Sequence, residues 1–551
     1  MRTYGALALT GDTWIMGGLE PHVKIKLKAL FSQIPKGAGG PYRFINTPER
    51  CADLAWFESR YPMQMSASDR RALERMVCRH SEIAAEVERI KVAPYRPPAF
   101  TGLREGQTVR EHQGRAVAML EQVKGLLVGD EVGEGKTYTT GAACLIEGAL
   151  PATVVCLPHL REQWAEKLRD FTSLRVEILK GTKPYPVPEA DVLILAYSQL
   201  AGWADVLEAR ETGLIAFDEM QELRRGEQAD KGKAALRLAD VARLKLGLTA
   251  TPIYNYGDEI WEVMRFLRPE VLGDRFDFLR EWCVGLGNGK ARVREPKALG
   301  AYLRDCNAFI RKTKDRLGRP NVLVRPVHHS AQVLAEIEGV AHALATTAAT
   351  GSFTERGEAT RQLDMRVRHA TGRAKAHAVA TAVRVLVEGG EPLILFGWHR
   401  DVYDIWMREL ADLKPVMFTG TETPVAKEAA KRAFLEGETD ILIMSLRSGA
   451  GIDGLQSRAS TVVFGELDWS PGIHHQCIGR LDREGQRCYP DPVQAIYLVA
   501  SDGSDPPMME VLGLKASQAS AIVDPTLGVQ SAQTDGTKLK GLVDRYLKRA
   551  A

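Results

Sequence analysis

The chain has 551 residues, enough for three or four domains of about 100–200 residues each. Its 45% hydrophobic and 26% charged residues are ordinary for a globular protein in water, and no run approaches the ~18 apolar residues of a membrane helix, so no membrane partner is expected. A net charge of +3 gives no global basic character, although a balanced total can conceal a basic cleft.

The N-terminus leads into alternating residues and not into a signal peptide. A cytoplasmic location is therefore expected, nucleoid-associated in a bacterial or viral setting. The eight cysteines are scattered and none forms a C-x-x-C pair, which argues against a zinc ribbon and for reduced, buried thiols. Apolar alternation from Ala6 to Leu9, the turn Gly11-Asp12 and the run Thr13 to Met16 predict a hairpin. Val23, Leu27, Leu30, Phe31 and Ile34 then fall on one helical face after Pro21, with a strand over Val23 to Leu27 as the alternative. A second helix is expected from Ser68 to Ile90, and Pro94 to Pro98 reads as a linker. Residues 1–95 are assigned to a small α+β accessory domain.

From 96 to 270 strand and helix signals alternate, which implies a parallel sheet with helices on both faces. Gly125 to Val128 is a short buried strand, and a glycine-rich turn follows before Lys136 and Thr137 open a helix. Such a turn points backbone N–H groups at anionic oxygens, and the helix N-terminus adds its positive dipole. Gly133 and Gly135 shape the cradle. Lys136 is expected to reach the β- and γ-phosphates of ATP, and the Thr137 hydroxyl to ligate Mg²⁺. The full phosphate-loop pattern wants glycine at position 130, where this chain has Asp130. Upstream, Gln113 is expected to read an adenine edge.

Downstream, Thr153 to Pro158 and Val192 to Leu195 are strands flanking a helix from His159 to Phe171. The apolar run Leu214 to Phe217 ends in Asp218 and Glu219. Acids at a strand's C-terminal edge suit a second metal ligand, Asp218, and a base for the attacking water, Glu219. Gln221 is placed on the nucleotide side. Leu246 to Leu248 leads into Thr249 and Thr251, whose hydroxyls can link the acid pair to a second site.

These motifs, Gly133-Glu134-Gly135-Lys136-Thr137, Asp218-Glu219-Met220-Gln221 and Leu248-Thr249-Ala250-Thr251-Pro252, occur in the order and spacing of helicase superfamily two. The run from Thr249 to Asn255, continued by Phe266-Leu267-Arg268-Pro269, and Pro158-His159-Leu160 with Gln163-Trp164, resemble the Swi/Snf-type ATPases. Gln221 stands where that family has the histidine of a DEAH-like box.

Residues 271–372 read as a helical insertion and inter-lobe linker. A helix is expected from Phe276 to Cys283 and a glycine-rich turn from Gly285 to Lys290. Phe309 to Lys314 resembles the family's basic segment before the crossing between lobes. The cluster Arg361, Arg366, Arg368, His369, Arg373 and Lys375 is either a solvated helix face or a phosphate-tracking one. A second lobe spans 373–500, with strands at Pro392 to Phe396, Asp440 to Ser445 and Thr461 to Glu466, and a turn-rich segment holding Gly449 and Gly451. Those two glycines, with Thr249 and Thr251, are assigned to coupling and nucleic-acid contact. Gln476, Arg480 and Arg483 are expected on the catalytic face of this lobe. The two arginines, three apart on an expected helix, share one side and suit the charge of the transferring phosphoryl group.

Phe396-Gly397-Trp398-His399 and the run from Phe464 to Gly472 resemble the annealing-helicase (HepA-related) branch of the Swi/Snf family, with Asp453-Gly454 and Asp482 as departures. The tail, 501–551, is expected to contain a helix from Met508 to Ile522, a linker, and a basic helix from Leu539 to Arg549 resting on the body.

The expected architecture is α/β: two RecA-like parallel-sheet lobes in tandem, with helical insertions and the small N-terminal domain. The resemblance implies an ATP- and Mg²⁺-dependent monomeric motor that moves along double-stranded or branched DNA, with strand annealing or branch remodelling among its outputs. A strand-separating DNA or RNA helicase is the first alternative, although no aromatic-tipped wedge stands out. An ATP-gated clamp with little turnover is the second, and Asp218, Glu219, Arg480 and Arg483 argue against it.

Overall fold

Two sets of apolar runs become two sheets whose central strands are buried on both faces. In the computed structural model, residues 2–31, 34–35, 37–92, 94–131, 133–249, 259–286, 290–313, 320–446, 453–510, 512 and 546 are described. Strands β1 (Ala6–Thr10), β2 (Thr13–Gly17) and β3 (Tyr42–Ile45) form an antiparallel meander in that order. Its inner face, Leu7, Trp14, Met16, Tyr42 and Phe44, packs on Val23 and Leu27 of the helix Pro21–Leu30 and on Leu54 and Phe57 of the helix Pro48–Arg60. The hairpin is as expected. The alternative strand over Val23 to Leu27 is not formed: Pro21 opens a helix, where Val23 and Leu27 lie four apart and both are buried. The helix Ala67–Lys91 then leads to the first lobe.

That lobe contains β4 (Gly125–Val128), β5 (Ala152–Cys156), β6 (Val176–Ile178), β7 (Val192–Ala196), β8 (Leu214–Asp218) and β9 (Leu244–Leu248). A hairpin of β10 (Cys283–Leu286) and β11 (Lys290–Val293) precedes β12 (Phe309–Ile310), which returns to the sheet beside β4. The order is β12-β4-β9-β8-β5-β7-β6, and every pairing is parallel. Alternate strand residues enter opposite cores. Leu127, Val155, Leu193, Ile215 and Phe217 face one, while Leu126, Val128, Val154, Ile194 and Ala216 face the other. This two-sided burial is why the strands read as continuous apolar runs.

The second lobe repeats the plan. Strands β13 (Asn321–Pro326), β14 (Leu393–Gly397), β15 (Val416–Phe418), β16 (Ile441–Ser445), β17 (Thr461–Phe464) and β18 (Gln494–Val499) lie in the order β13-β18-β17-β14-β16-β15, again all parallel. Both β12 and β13 come from the stretch read as insertion and linker, so each lobe's sheet reaches into it. Between β13 and β14 the helices Glu338–Thr350 and Phe353–Glu388 form a hairpin. The basic cluster on the longer helix divides. Arg361, Arg366 and Arg373 are exposed, whereas Lys375 is buried on Asp505, His369 bonds Asp401 and Arg368 donates to the carbonyl of Leu467. Half of the cluster therefore holds the lobe together and cannot track phosphates. Of the tail, residues 505–510 are helical, and Tyr546 is buried against Ala341, Ala345, Leu363 and Val367. The linker and the rest of the basic helix lie outside the described residues.

Candidate functional site

The strands that lead into the glycine-rich loop and the acid pair, β4 and β8, are separated by β9 alone. Their C-terminal ends open on one edge of the sheet, where ligands bind in such folds. After β4 the chain turns through Gly133 at φ 95° and Gly135 at φ 83° into the helix Lys136–Ala143. Both angles lie in the left-handed region that glycine enters without strain. The Lys136 ammonium folds back over the loop, donating to the carbonyls of Asp130 (2.7 Å) and Glu131 (3.1 Å). Burial lowers its pKa from the ordinary value, with Glu219, Asp130 and Asp218 opposing that shift. Thr137, next on the helix, is half-buried.

Asp130 explains the missing glycine of the phosphate loop. Its carboxylate is buried and accepts a 2.7 Å bond from the backbone N–H of Lys312, just past β12. Arg311 donates to the carbonyl of Gly129 at 2.9 Å. The loop is thus tied to the segment leading to the second lobe.

Asp218 closes β8 and is buried. Its Oδ2 accepts from the Trp164 indole at 3.0 Å, and its carbonyl accepts from the Tyr197 hydroxyl at 2.7 Å. Burial first, then the neighbouring Glu219 charge, pushes its carboxyl up to about 7. Glu219 adopts φ 49°, a left-handed conformation that costs a non-glycine residue about 1–2 kcal/mol. Strain of this kind concentrates at functional sites. Two amides meet its Oε2, from Gln221 at 2.5 Å and, across the cleft, from Gln476 at 3.4 Å.

Gln113 is buried below the loop. Its Oε1 accepts from the backbone of Arg110 at 3.0 Å, and its Nε2 faces the carbonyls of Glu134 and Gly135 at 3.4 and 3.5 Å. The amide expected to read adenine is spent here on the loop itself.

The second lobe brings Gln476 on the helix Pro471–Ile478. The arginines depart from expectation: the helix ends at Ile478, with Gly479 as its cap, and Arg480 and Arg483 lie in the turn beyond. They do not share a helical face. Arg483 donates to the carbonyl of Gly479 at 2.9 and 2.8 Å and pairs with Asp453. Arg480 is buried with its Nε unmatched, and burial together with Arg483 pushes it down to about 10. A Cβ added to Gly133 would lie 2.8 Å from Arg483 Cβ, so the phosphate loop and the second lobe are in contact. Thr249 is fully buried just past β9, and its backbone N–H donates to the carbonyl of Val128 at 3.0 Å. Thr251, Gly449 and Gly451 lie outside the described residues.

Among the described residues no group of three or more His, Cys, Asp and Glu side chains is arranged to hold a metal. The set nevertheless fits Mg²⁺, which takes one or two carboxylates and keeps its remaining positions for phosphate and water. The observation that supports the fit is Asp218, a buried carboxyl closing β8 that burial and the Glu219 charge push up against the opposing Trp164 indole and Lys136, so that a cation beside it would favour its charged form. Thr137 and Asp218 would hold the ion, whose chemistry is to neutralise phosphate charge. The unmatched Nε of Arg480 and Oε1 of Gln221 are further polar atoms at the cleft that fit a polyphosphate. Trp164, Tyr197 and Lys312 were not expected at the site. Trp164 reads as a core residue by its helical spacing, and only the position of its indole N–H distinguishes it.

The description "SNF2-related domain" matches residues 52–328. The chain belongs to the SNF2-related domain family. Among curated proteins, the Drosophila melanogaster "SWI/SNF-related matrix-associated actin-dependent regulator of chromatin subfamily A-like protein 1" is 26% identical over 401 residues, covering 69% of this chain and 51% of the fly protein. The mouse "DNA annealing helicase and endonuclease ZRANB3" is 24% identical over 420 residues, covering 71% of this chain and 38% of its own. This chain therefore spans about half, or less, of the length of these SNF2-related relatives. A solved chain, "Sulfolobus solfataricus SWI2/SNF2 ATPase core in complex with dsDNA", aligns at 19% identity and TM-score 0.36, covering 79% of this chain and 95% of that one. The Swi/Snf resemblance of the motifs agrees with the family match, and the annealing-helicase resemblance with the name of the mouse relative.

Proposed function

We propose that this chain is an ATP-hydrolysing motor that translocates along double-stranded or branched DNA, with strand annealing among its outputs. The observation that carries this reading is Glu219. It sits at the acid pair of one lobe and receives an amide from Gln476 of the other, so the base is set only where the lobes meet. A site split in this way converts phosphoryl transfer into relative motion of two rigid bodies.

In this reading Lys136 leaves the loop carbonyls and binds the phosphates, and Thr137 and Asp218 would hold Mg²⁺, which would neutralise phosphate charge. Glu219 takes a proton from the attacking water, with Gln221 and Gln476 orienting its carboxylate. Arg480 meets the charge of the transferring group, and Arg483 supports it. Gln113 contributes by holding the loop. Thr249, Thr251, Gly449 and Gly451 couple the site to nucleic acid. The division 1–95, 96–270, 271–372, 373–500 and 501–551 is the working domain assignment, acting as a monomer in the cytoplasm or on the nucleoid. DNA as the track is supported by the names of the SNF2-related relatives.

The test is an ATPase assay across duplex, single-stranded and forked DNA and RNA. Duplex or forked DNA should raise turnover strongly and RNA little. Equal stimulation by RNA would overturn the assignment.

A further inference from the structure

Asp453 departs from the family pattern, and the structure puts it at the junction of four elements. Its Oδ1 pairs with Arg483 of its own lobe. Its Oδ2 pairs with Lys167 of the first lobe and lies 3.4 Å from the amide of Gln163. Gln163 and Lys167 sit one turn apart on the helix Arg161–Phe171. The Lys167 ammonium also lies 5.9 Å from the ring centroid of Tyr138, on the helix that the phosphate loop opens. One carboxylate thus links the phosphate-loop helix, through Lys167, to the guanidinium of Arg483. Burial would raise the Asp453 pKa, but Arg483 and then Lys167 hold it below the ordinary value, so the carboxylate is charged.

We propose that Asp453 is a positioning residue that seats Arg483 as the lobes close and that, through Lys167, holds the cleft shut. Arg483 spends one side of its guanidinium on the Gly479 carbonyl and the other on Asp453. The direction of that arginine is therefore set by an acid that is itself fixed only when the first lobe is in place. An isolated exposed ion pair contributes little, but this carboxylate is shared by two cations, one of them 10% exposed. For turnover the inference rests on reading the cleft as the ATP site; for closure it does not.

Closure is measured on the full chain without nucleotide. Spin labels are placed at Asp170→Cys and Glu428→Cys, with Cys78, Cys306 and Cys488, the cysteines that are not buried, changed to serine. The unsubstituted pair should give one narrow distance. Asp453→Asn and Lys167→Gln should each broaden and lengthen it, and the double variant should go no further than either single one. Turnover by Asp453→Asn should fall about tenfold at unchanged KM for ATP, the loss of one charge-assisted hydrogen bond. Asp453→Glu should restore it. A wild-type distance in Asp453→Asn, or additive effects of the two substitutions, would overturn the latch. Were the ATP reading wrong, the distances would still respond while turnover was absent from every variant. Asp453 is 40% exposed, so loss of folding is not the expected cost, and the melting temperature of each variant checks this.

Discussion

The proposed role of Asp218 asks it to carry charge where the fold resists it. Its carboxyl titrates near 3.8 ordinarily and near 7 in place. Between those values the folded chain holds a proton that the unfolded chain has lost, so stability contributed by this group falls as pH rises from 4 to about 7. Asp218→Asn keeps an acceptor for Trp164 and removes the penalty. In the absence of nucleotide and divalent ions it should melt several degrees above the parent at pH 7.5, with the gap closing toward pH 4, as followed by calorimetry. Glu219→Gln should bind ATP as the parent does and hydrolyse it about 10²–10⁴-fold more slowly, the range for a lost general base; an unchanged single-turnover rate would refute its role. At this scale the sequence shows where the local structure falls: Lys136 opens a helix after a glycine turn, and Asp218 and Glu219 stand at the end of β8. It was uninformative about partners distant along the chain. Nothing local announces that Trp164 reaches Asp218, 54 positions away, or that Asp130 faces a backbone N–H rather than replacing a glycine at a loss.

The elements that were legible are those with a single physical driver. β5, β7, β8, β14 and β16 are buried on both faces, and each stands out as an apolar run. β15 is three residues of intermediate burial, and β13 is exposed along most of its length, so neither has a pattern to find. The helix Pro424–Glu436 has a start written in its sequence, with Thr423 capping Ala426 and proline at its first position. The spacing of Arg480 and Arg483 suggested a shared helical face, and Gly479 is where that inference fails. Closure also constrains the phosphate loop as an element. Gly133→Ala demands a strained φ and thrusts a methyl to 2.8 Å from Arg483 Cβ. It should leave the melting temperature within a few degrees of the parent while reducing DNA-stimulated turnover more than nucleotide affinity, read from kcat and from equilibrium binding of a nucleotide analogue. Equal losses in both would place the defect in the loop alone.

At the scale of the molecule, two sheets with separate cores share one cleft. Side chains of the first sheet interleave into its own two clusters and those of the second into another two. The order of strands within each sheet was beyond the sequence, since pairing partners such as β12 and β4 are set by tertiary closure. Among the described residues the polar contacts that join the lobes are few, Gln476 to Glu219, Gln163 and Lys167 to Asp453, and Arg110 to Glu484, whose side chains are 51% and 74% exposed, beside the close approach of Gly133 to Arg483. Cores of this size joined by so thin a seam should melt separately. Calorimetry without nucleotide is therefore expected to show two transitions. A ligand that binds only the folded state stabilises by about 2.7 kcal/mol at a hundred times its Kd. On the proposed reading, in which Lys136 and Arg480 meet the same phosphates, a non-hydrolysable ATP analogue with Mg²⁺ should raise the first-lobe transition through Lys136 and the second-lobe transition with it through Arg480. Lys136→Ala should lose both shifts while both lobes remain folded. Arg480→Ala should keep the first and lose the second. Retention of the second shift in Arg480→Ala would mean that the lobes close on the nucleotide without this arginine, and the split-site reading would have to rest on Gln476 alone.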